Sequence, residues 1–221
     1  MNNIKKWNTL HCLIVFIGGL LFCLFKWHIP MLIGLIISLS HLIFQEWATL
    51  RALHPFGGYA NGITLLRFIL ITLIFLFGGY ISNIQITLIL LFLTLLDGVD
   101  GFLARKFNHI TMVGAYFDME TDALVVCVTS IILYTKNITG SWILLIGFMR
   151  YYYIFIVYML NMHDIPERRT KFGPLVSVIL LVSILISFIL PTYIYIPILI
   201  IASIMVTVSF CWSFYYLFRD R

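Results

Sequence analysis

Apolar residues run along this chain in eight stretches long enough to cross a bilayer, and most polar positions fall between them. About 20 predominantly apolar residues suffice to span the hydrocarbon layer. That window settles on residues 9–26, 29–46, 63–81, 84–105, 111–135, 139–162, 173–191 and 194–218. The pattern predicts an all-α polytopic membrane protein of about eight transmembrane helices. The connection between the first two stretches, around Lys26, Trp27 and His28, is very short, and the fifth carries three acidic residues, Asp118, Glu120 and Asp122. The longest connection, 45–60, holds Trp47, Arg51, His54, Pro55, Gly57 and Gly58. Its first half reads either as a short interfacial helix that Pro55 ends or as a plain loop.

Composition agrees with the pattern. Of 221 residues, 62% are hydrophobic and 10% charged, which is the membrane class, since a soluble domain of this size has no interior that hides so much apolar surface. Membrane lipids are the expected surroundings and nucleic acid is not an expected partner. Cys12, Cys23, Cys127 and Cys211 lie in apolar runs without metal-type or redox-type spacing and read as inert packing. Lys5 and Lys6 precede an apolar run with no clear cleavage site, so that run reads as a span and not as a removable signal.

The net charge is +5, but the placement of the basic residues says more. With the N-terminus in the cytoplasm, eight spans put Lys5, Lys6, Arg51, Arg105, Lys106, Arg168, Arg169, Lys171, Arg219 and Arg221 on the cytoplasmic side, and only Lys26 and Lys136 opposite. Cytoplasmic loops are the ones enriched in Lys and Arg. Both termini are therefore expected in the cytoplasm, with Arg105 closing the fourth span at that face.

The acids inside the fourth and fifth stretches need an explanation, because each charged side chain at the centre of a membrane helix costs about 2.5–3.5 kcal/mol on insertion scales. At about 100° per residue, Asp97, Asp100, Gly101, Ala104 and Arg105 share an arc of roughly 140°, and Gly114, Ala115, Asp118 and Asp122 share one of about 100°. Glu120 points the other way. Two such helices facing each other would surround one small volume with four carboxylates, walled by residues with little side chain. Hard divalent cations such as Mg²⁺ or Mn²⁺ take oxygen ligands, and two of them close together clamp a phosphoryl group during transfer. Two such ions also cancel four negative charges. The glycines and Ala104 leave room for a bulky ligand against the backbone. A lone membrane Asp is more often a proton relay or a hydrogen-bond partner; eight positions at fixed offsets are a different matter.

Three further places carry polar residues at membrane depth or beside it. Asn61, Thr64 and Arg67 recur at three-residue intervals, where Asn61 as a cap and Arg67 reaching to the interface would be the ordinary explanation. Arg150 lies near the middle of the sixth stretch, a place that suits either a structural pair with Glu120 or a motif carboxylate, or a ligand anion. The connection 163–171 holds Arg168, Arg169 and Lys171, read as a topology signal or as an anion-collecting patch at the mouth of the cavity.

The run D-x-x-D-G-x-x-A-R-x8-G-x-x-x-D-x-x-x-D, filled by Asp97, Asp100, Gly101, Ala104, Arg105, Gly114, Asp118 and Asp122, resembles the signature of the CDP-alcohol phosphatidyltransferase family. The stretch from Asn61 through Thr64 to Arg67 resembles the opening of that family's first core helix, with Ala60 where the family has proline. The resemblance implies a six-helix core over 61–221 and leaves 1–60, two extra helices and a connecting loop, without an inferred purpose. It implies transfer of a phosphatidyl group from a CDP-linked lipid, CDP-diacylglycerol, to a small alcohol acceptor with release of CMP, in phospholipid biosynthesis. Under it Asp97, Asp100, Asp118 and Asp122 hold two Mg²⁺ or Mn²⁺ ions, and Asp122 is also the base. Asn61, Thr64, Arg67, Gly101, Ala104, Arg105 and Gly114 seat the nucleotide. It implies basic residues near the connection 163–171 that hold the acceptor, here Lys171; Arg150 is an acceptor-binding candidate from its own position, and with the basic loop it tilts the acceptor toward a phosphorylated alcohol such as glycerol 3-phosphate. A homodimer is also implied. Two other classes stay open on the residues: a transporter built on intramembrane acids, and a scaffold that binds a CDP-lipid without consuming it. Carboxylates that point away from one another, or that arginines tie up with no space left for an ion, would end the cation-site reading.

Overall fold

The computed structural model of the protein describes residues 3–107, 111–162 and 172–219. Among these, the chain forms ten helices and no strand: α1 (Asn3–Phe25), α2 (His28–Gln45), α3 (Trp47–Ala52), α4 (Gly58–Phe77), α5 (Asn83–Lys106), α6 (Met112–Thr135), α7 (Trp142–Gly147), α8 (Met149–Met159), α9 (Gly173–Ser187) and α10 (Thr192–Arg219). The fold is an all-α polytopic membrane protein. Five of the helices, α1, α2, α4, α5 and α10, are long and apolar enough to cross a membrane on their own composition. The others follow local causes. Helix α6 is long enough, with 24 residues, but carries the three acids. Apolar α9 has 15 residues, a rise of about 22 Å.

Several boundaries differ from the apolar windows because caps, not hydropathy, end helices. Gly57, in the left-handed region at φ 79°, caps α4, so that helix starts at Gly58 and not near residue 63. Asn61 is thus inside the helix and not its cap. Ser82 and Gln85 form a reciprocal capping box at the start of α5, and the Thr111 side chain accepts from the Gly114 N–H at the start of α6. The sixth apolar stretch is broken in two at Phe148. The preceding Gly147 lies so close to α6 that a Cβ there would sit 2.6 Å from the Ser130 Cβ, and Phe148 is buried at 1% exposure. The first half of the 45–60 connection is helical, as α3.

Helix α4 is the centre of the arrangement around the acids, packing on both α5 and α6, while α1 packs on α2, α6 and α8, and α9 on α10. Large apolar side chains face outward along the bundle, such as Leu24, Ile36, Phe44 and Ile201, as lipid contact requires. Lys26 lies with its ammonium 5.1 Å from the Tyr134 ring centroid, and Lys136 donates to the Ile81 carbonyl at 2.8 Å. The two lysines assigned to the sparsely basic side therefore meet at one end of the bundle, the end where α5 begins. Asp97 and Asp100 lie toward the far end of α5, and Asp118 and Asp122 in the half of α6 that starts there.

Candidate active site

The site is assembled by three helices. Two faces of the pattern, Asp97 and Asp100 on α5 and Asp118 and Asp122 on α6, each meet α4, and the side chain that gathers them is Arg67. Its Nη1 lies 2.9 Å from Asp97 Oδ1, 2.9 Å from Asp100 Oδ2 and 2.8 Å from Asp118 Oδ1, and its Nη2 donates to Asp122 Oδ1. Hydrogen bonds between ions of this kind are the strong class. The Thr64 hydroxyl, one turn earlier, reaches Asp100 Oδ2 at 3.3 Å and the Ala60 carbonyl at 3.2 Å. Helices α5 and α6 thus bring their acids together mainly through α4 and not by packing on one another.

The four carboxylates form a graded mouth. Asp100 is the floor, with its side chain 6% exposed, while Asp97, Asp118 and Asp122 are 46%, 40% and 53% exposed. Arg67 itself is buried. Among the described residues, one guanidinium bonds four carboxylates, a set with more acid than base.

Oxygens of Asp97, Asp100 and Asp118 all lie within 4.8 Å of one another. Three hard oxygen donors converging on one point, which the Arg67 nitrogen marks as a position for positive charge, suit Mg²⁺ or Mn²⁺. A cation held by the same oxygens and the Arg67 Nη1 would exclude each other there. Asp122 stands apart from these three: it meets the other guanidinium nitrogen and is the most exposed of the set.

The small residues of the pattern have distinct uses. A Cβ on Gly114 would fall 2.6 Å from Asn61 Oδ1 and 3.2 Å from Thr111 Oγ1, so the glycine leaves the place that the Asn61 amide takes against α6. Among the described residues, a Cβ on Gly101 would meet only the Arg105 guanidinium, at 3.6 and 3.9 Å, the end of a flexible side chain over the backbone beside Asp100. Ala104 is half-buried and Arg105 exposed near the end of α5.

Arg150 is not among the carboxylates of the cluster. Its Nε and Nη2 donate to Glu120 Oε1 at 2.8 and 2.6 Å, on the opposite face of α6, which is the structural pair that its position in the sixth stretch allowed. Lys171, with Arg168 and Arg169, lies outside the described residues. Sequence reasoning assigned Arg67 to the nucleotide and did not foresee it at the centre of the acids; the available signal was its place in a membrane helix, where a buried cation requires anions.

The model of the CDP-alcohol phosphatidyltransferase family matches residues 58–212, which takes in every residue of this cluster.

Proposed function

The chain belongs to the CDP-alcohol phosphatidyltransferase family, matched over more than two thirds of its length, and from that premise we propose that it moves a phosphatidyl group from CDP-diacylglycerol to a small alcohol, releasing CMP. Membership makes it a membrane phosphotransferase that uses a CDP-alcohol in lipid synthesis, in a family generally dependent on divalent metal. The observation that carries the finer proposal is the convergence of Asp97, Asp100, Asp118 and Asp122 from two helices on one point at membrane depth.

In this proposal Asp97, Asp100 and Asp118 would hold two Mg²⁺ or Mn²⁺ ions, with Asp122 as base and a possible further ligand. When bound, such ions supply charge neutralisation at the transferring phosphate and at the leaving CMP. Asp122, the most exposed carboxylate, takes the proton of the acceptor hydroxyl as its oxygen bonds to phosphorus and the bond from phosphorus to the CMP oxygen breaks. Gly101 and Ala104 leave room for the cytidine, with Asn61, Thr64, Arg105 and Gly114 around it. Arg67 has a double assignment, to the acids and to the phosphates: with the carboxylates engaged as ligands, its guanidinium would face the phosphates of the nucleotide. The mouth of the site, like both termini, faces the cytoplasm, on the strength of ten basic residues against two. A lipid donor needs a site at this depth, and a phosphorylated acceptor fits the basic connection 163–171. The two units, 1–60 and 61–221, and a homodimer are part of the same proposal.

Purified protein given CDP-diacylglycerol, Mg²⁺ or Mn²⁺ and a panel of alcohols tests it through CMP. Release with one acceptor and none in EDTA is expected. The contact of Arg67 with all four acids favours a second reading, a site locked by its arginine that binds a CDP-lipid without turnover. Donor binding with no CMP from any acceptor would favour that scaffold.

A further inference from the structure

Helix α1 lies outside the residues matched by the family, yet it is built into the middle of the bundle. Its buried positions, among them Trp7, His11, Cys12, Val15, Gly19 and Phe22, follow the spacing of a helix packed along one stripe. The contacts reach α6 and α4, two of the three helices that build the site. Trp7 meets Phe117 of α6, with ring centroids 6.4 Å apart, and Phe22 meets Phe75 of α4 at 4.9 Å. Gly19 faces the Phe148 ring at a distance that admits no Cβ. Helix α2 braces α1 through the buried Ser38, whose carbonyl accepts from Trp7 Nε1 at 2.8 Å and whose hydroxyl pairs with His11 Nδ1 at 2.9 Å.

The polar contact of α1 with α6 falls on one residue. The Cys12 thiol donates to Glu120 Oε2 at 3.1 Å, while Arg150 of α8 holds the other oxygen, Oε1. Glu120 is 1% exposed. At about 100° per residue, Asp118 and Asp122 differ by about 40° around α6, and Glu120 lies about 180° from their mean direction. Helix α6 is therefore pinned on diametrically opposite sides: by Arg67 through the two aspartates, and by Cys12 and Arg150 through the glutamate.

We propose that Glu120, seated between Cys12 of α1 and Arg150 of α8, is the positioning residue that fixes the rotation of α6 and so aims Asp118 and Asp122 into the site. Helix α1 is then a working part of the site. A carboxylate roughly 5 Å from the helix axis moves about 1 Å for a rotation of about 10°, and a misplacement of that size in a reacting constellation costs on the order of 10²-fold in rate. Ligand geometry of this precision depends on the shell behind it. The inference rests on the reading of the carboxylates as a cation site, and its test separates the two.

The full chain is purified in detergent as wild type, Cys12→Ser, Cys12→Val and Asp118→Asn. Mn²⁺ binding without substrate is followed by electron paramagnetic resonance, alongside the unfolding midpoint, kcat and the KM for CDP-diacylglycerol. Cys12→Ser keeps a donor and is expected to match wild type. Cys12→Val keeps the bulk without the donor and is expected to weaken Mn²⁺ binding about threefold or more and lower kcat about tenfold, with KM within about twofold. Cys12→Val that binds Mn²⁺ and turns over like wild type, whatever its midpoint, overturns the positioning role, as does Cys12→Ser failing equally with Cys12→Val. Asp118→Asn that keeps wild-type Mn²⁺ binding overturns the cation site, and this inference with it.

Discussion

Replacing Arg67 with glutamine removes the positive charge that bonds all four acids. The Arg67 side chain is 3% exposed, against 6% for Asp100 and 46%, 40% and 53% for Asp97, Asp118 and Asp122. Breaking a buried ion pair by removing one partner costs about 3–5 kcal/mol, because the other charge is left uncompensated. Water already screens three of the four carboxylates, so the lower end, about 3 kcal/mol, applies here. For a chain of this size that is a fall of roughly 6–12 °C in the unfolding midpoint. Divalent cations at a hundred times their dissociation constant return about 2.7 kcal/mol, nearly the whole loss. The wild type gains less, since its own guanidinium competes for the same oxygens. Thermal unfolding in detergent, followed by tryptophan fluorescence with EDTA and with Mg²⁺, reads both effects. A glutamine variant as stable as wild type in EDTA, or one that Mg²⁺ does not recover more than it stabilises the wild type, would refute the reasoning.

Three further substitutions separate the roles around the cluster. Asp122→Asn keeps the volume and removes the base, so Mn²⁺ binding should stay within about threefold of wild type while CMP release falls by about 10²–10⁴-fold; turnover at the wild-type rate would remove Asp122 from that role. Gly114→Ala drives a methyl against Asn61 Oδ1, where the unrelieved separation is 2.6 Å. Relief takes only a turn of the Asn61 amide, the end of a flexible side chain, away from α6, with a loss of about 1 kcal/mol in stability and, through one lost hydrogen bond to the nucleotide, a KM for CDP-diacylglycerol raised about tenfold, measured by unfolding and by CMP release. Gly101→Val meets only the flexible Arg105 end, so it should leave the midpoint within about 2 °C and raise the KM for CDP-diacylglycerol about tenfold or more by filling the space given to the cytidine; an unchanged KM would place the nucleotide elsewhere.

The legible part of the site was the part that lies within single helices. Spacing alone puts Asp97 with Asp100, and Asp118 with Asp122, because helical geometry fixes which residues share a face, and it turns Glu120 away from its neighbours. What joins separate helices was not legible. Arg67 meets acids that lie 30 to 55 positions further along the chain, and no local rule links it to them. Arg150 offered three partners in the sequence, Glu120, a motif carboxylate or a ligand anion, and only the tertiary placement of α8 brings it to Glu120. The break at Phe148 carries no proline and no capping signal of its own; it follows from Gly147 lying against Ser130. Hydropathy windows also missed the start of α4, since Gly57 ends the preceding connection by backbone conformation and not by polarity. The depth of α1 in the bundle was hidden for a related reason: an apolar helix that faces lipid and one that faces protein have much the same composition.

The central claim is that Asp97, Asp100 and Asp118 hold divalent cations at the point the Arg67 nitrogen marks. Anomalous scattering from crystals of the protein grown with Mn²⁺ and a CDP-lipid tests it most directly. The account predicts anomalous peaks within coordination distance of those three carboxylates, with the Arg67 guanidinium withdrawn from them toward the nucleotide phosphates. Arg67 still bonded to all four acids, with Mn²⁺ bound nowhere near them, would contradict it.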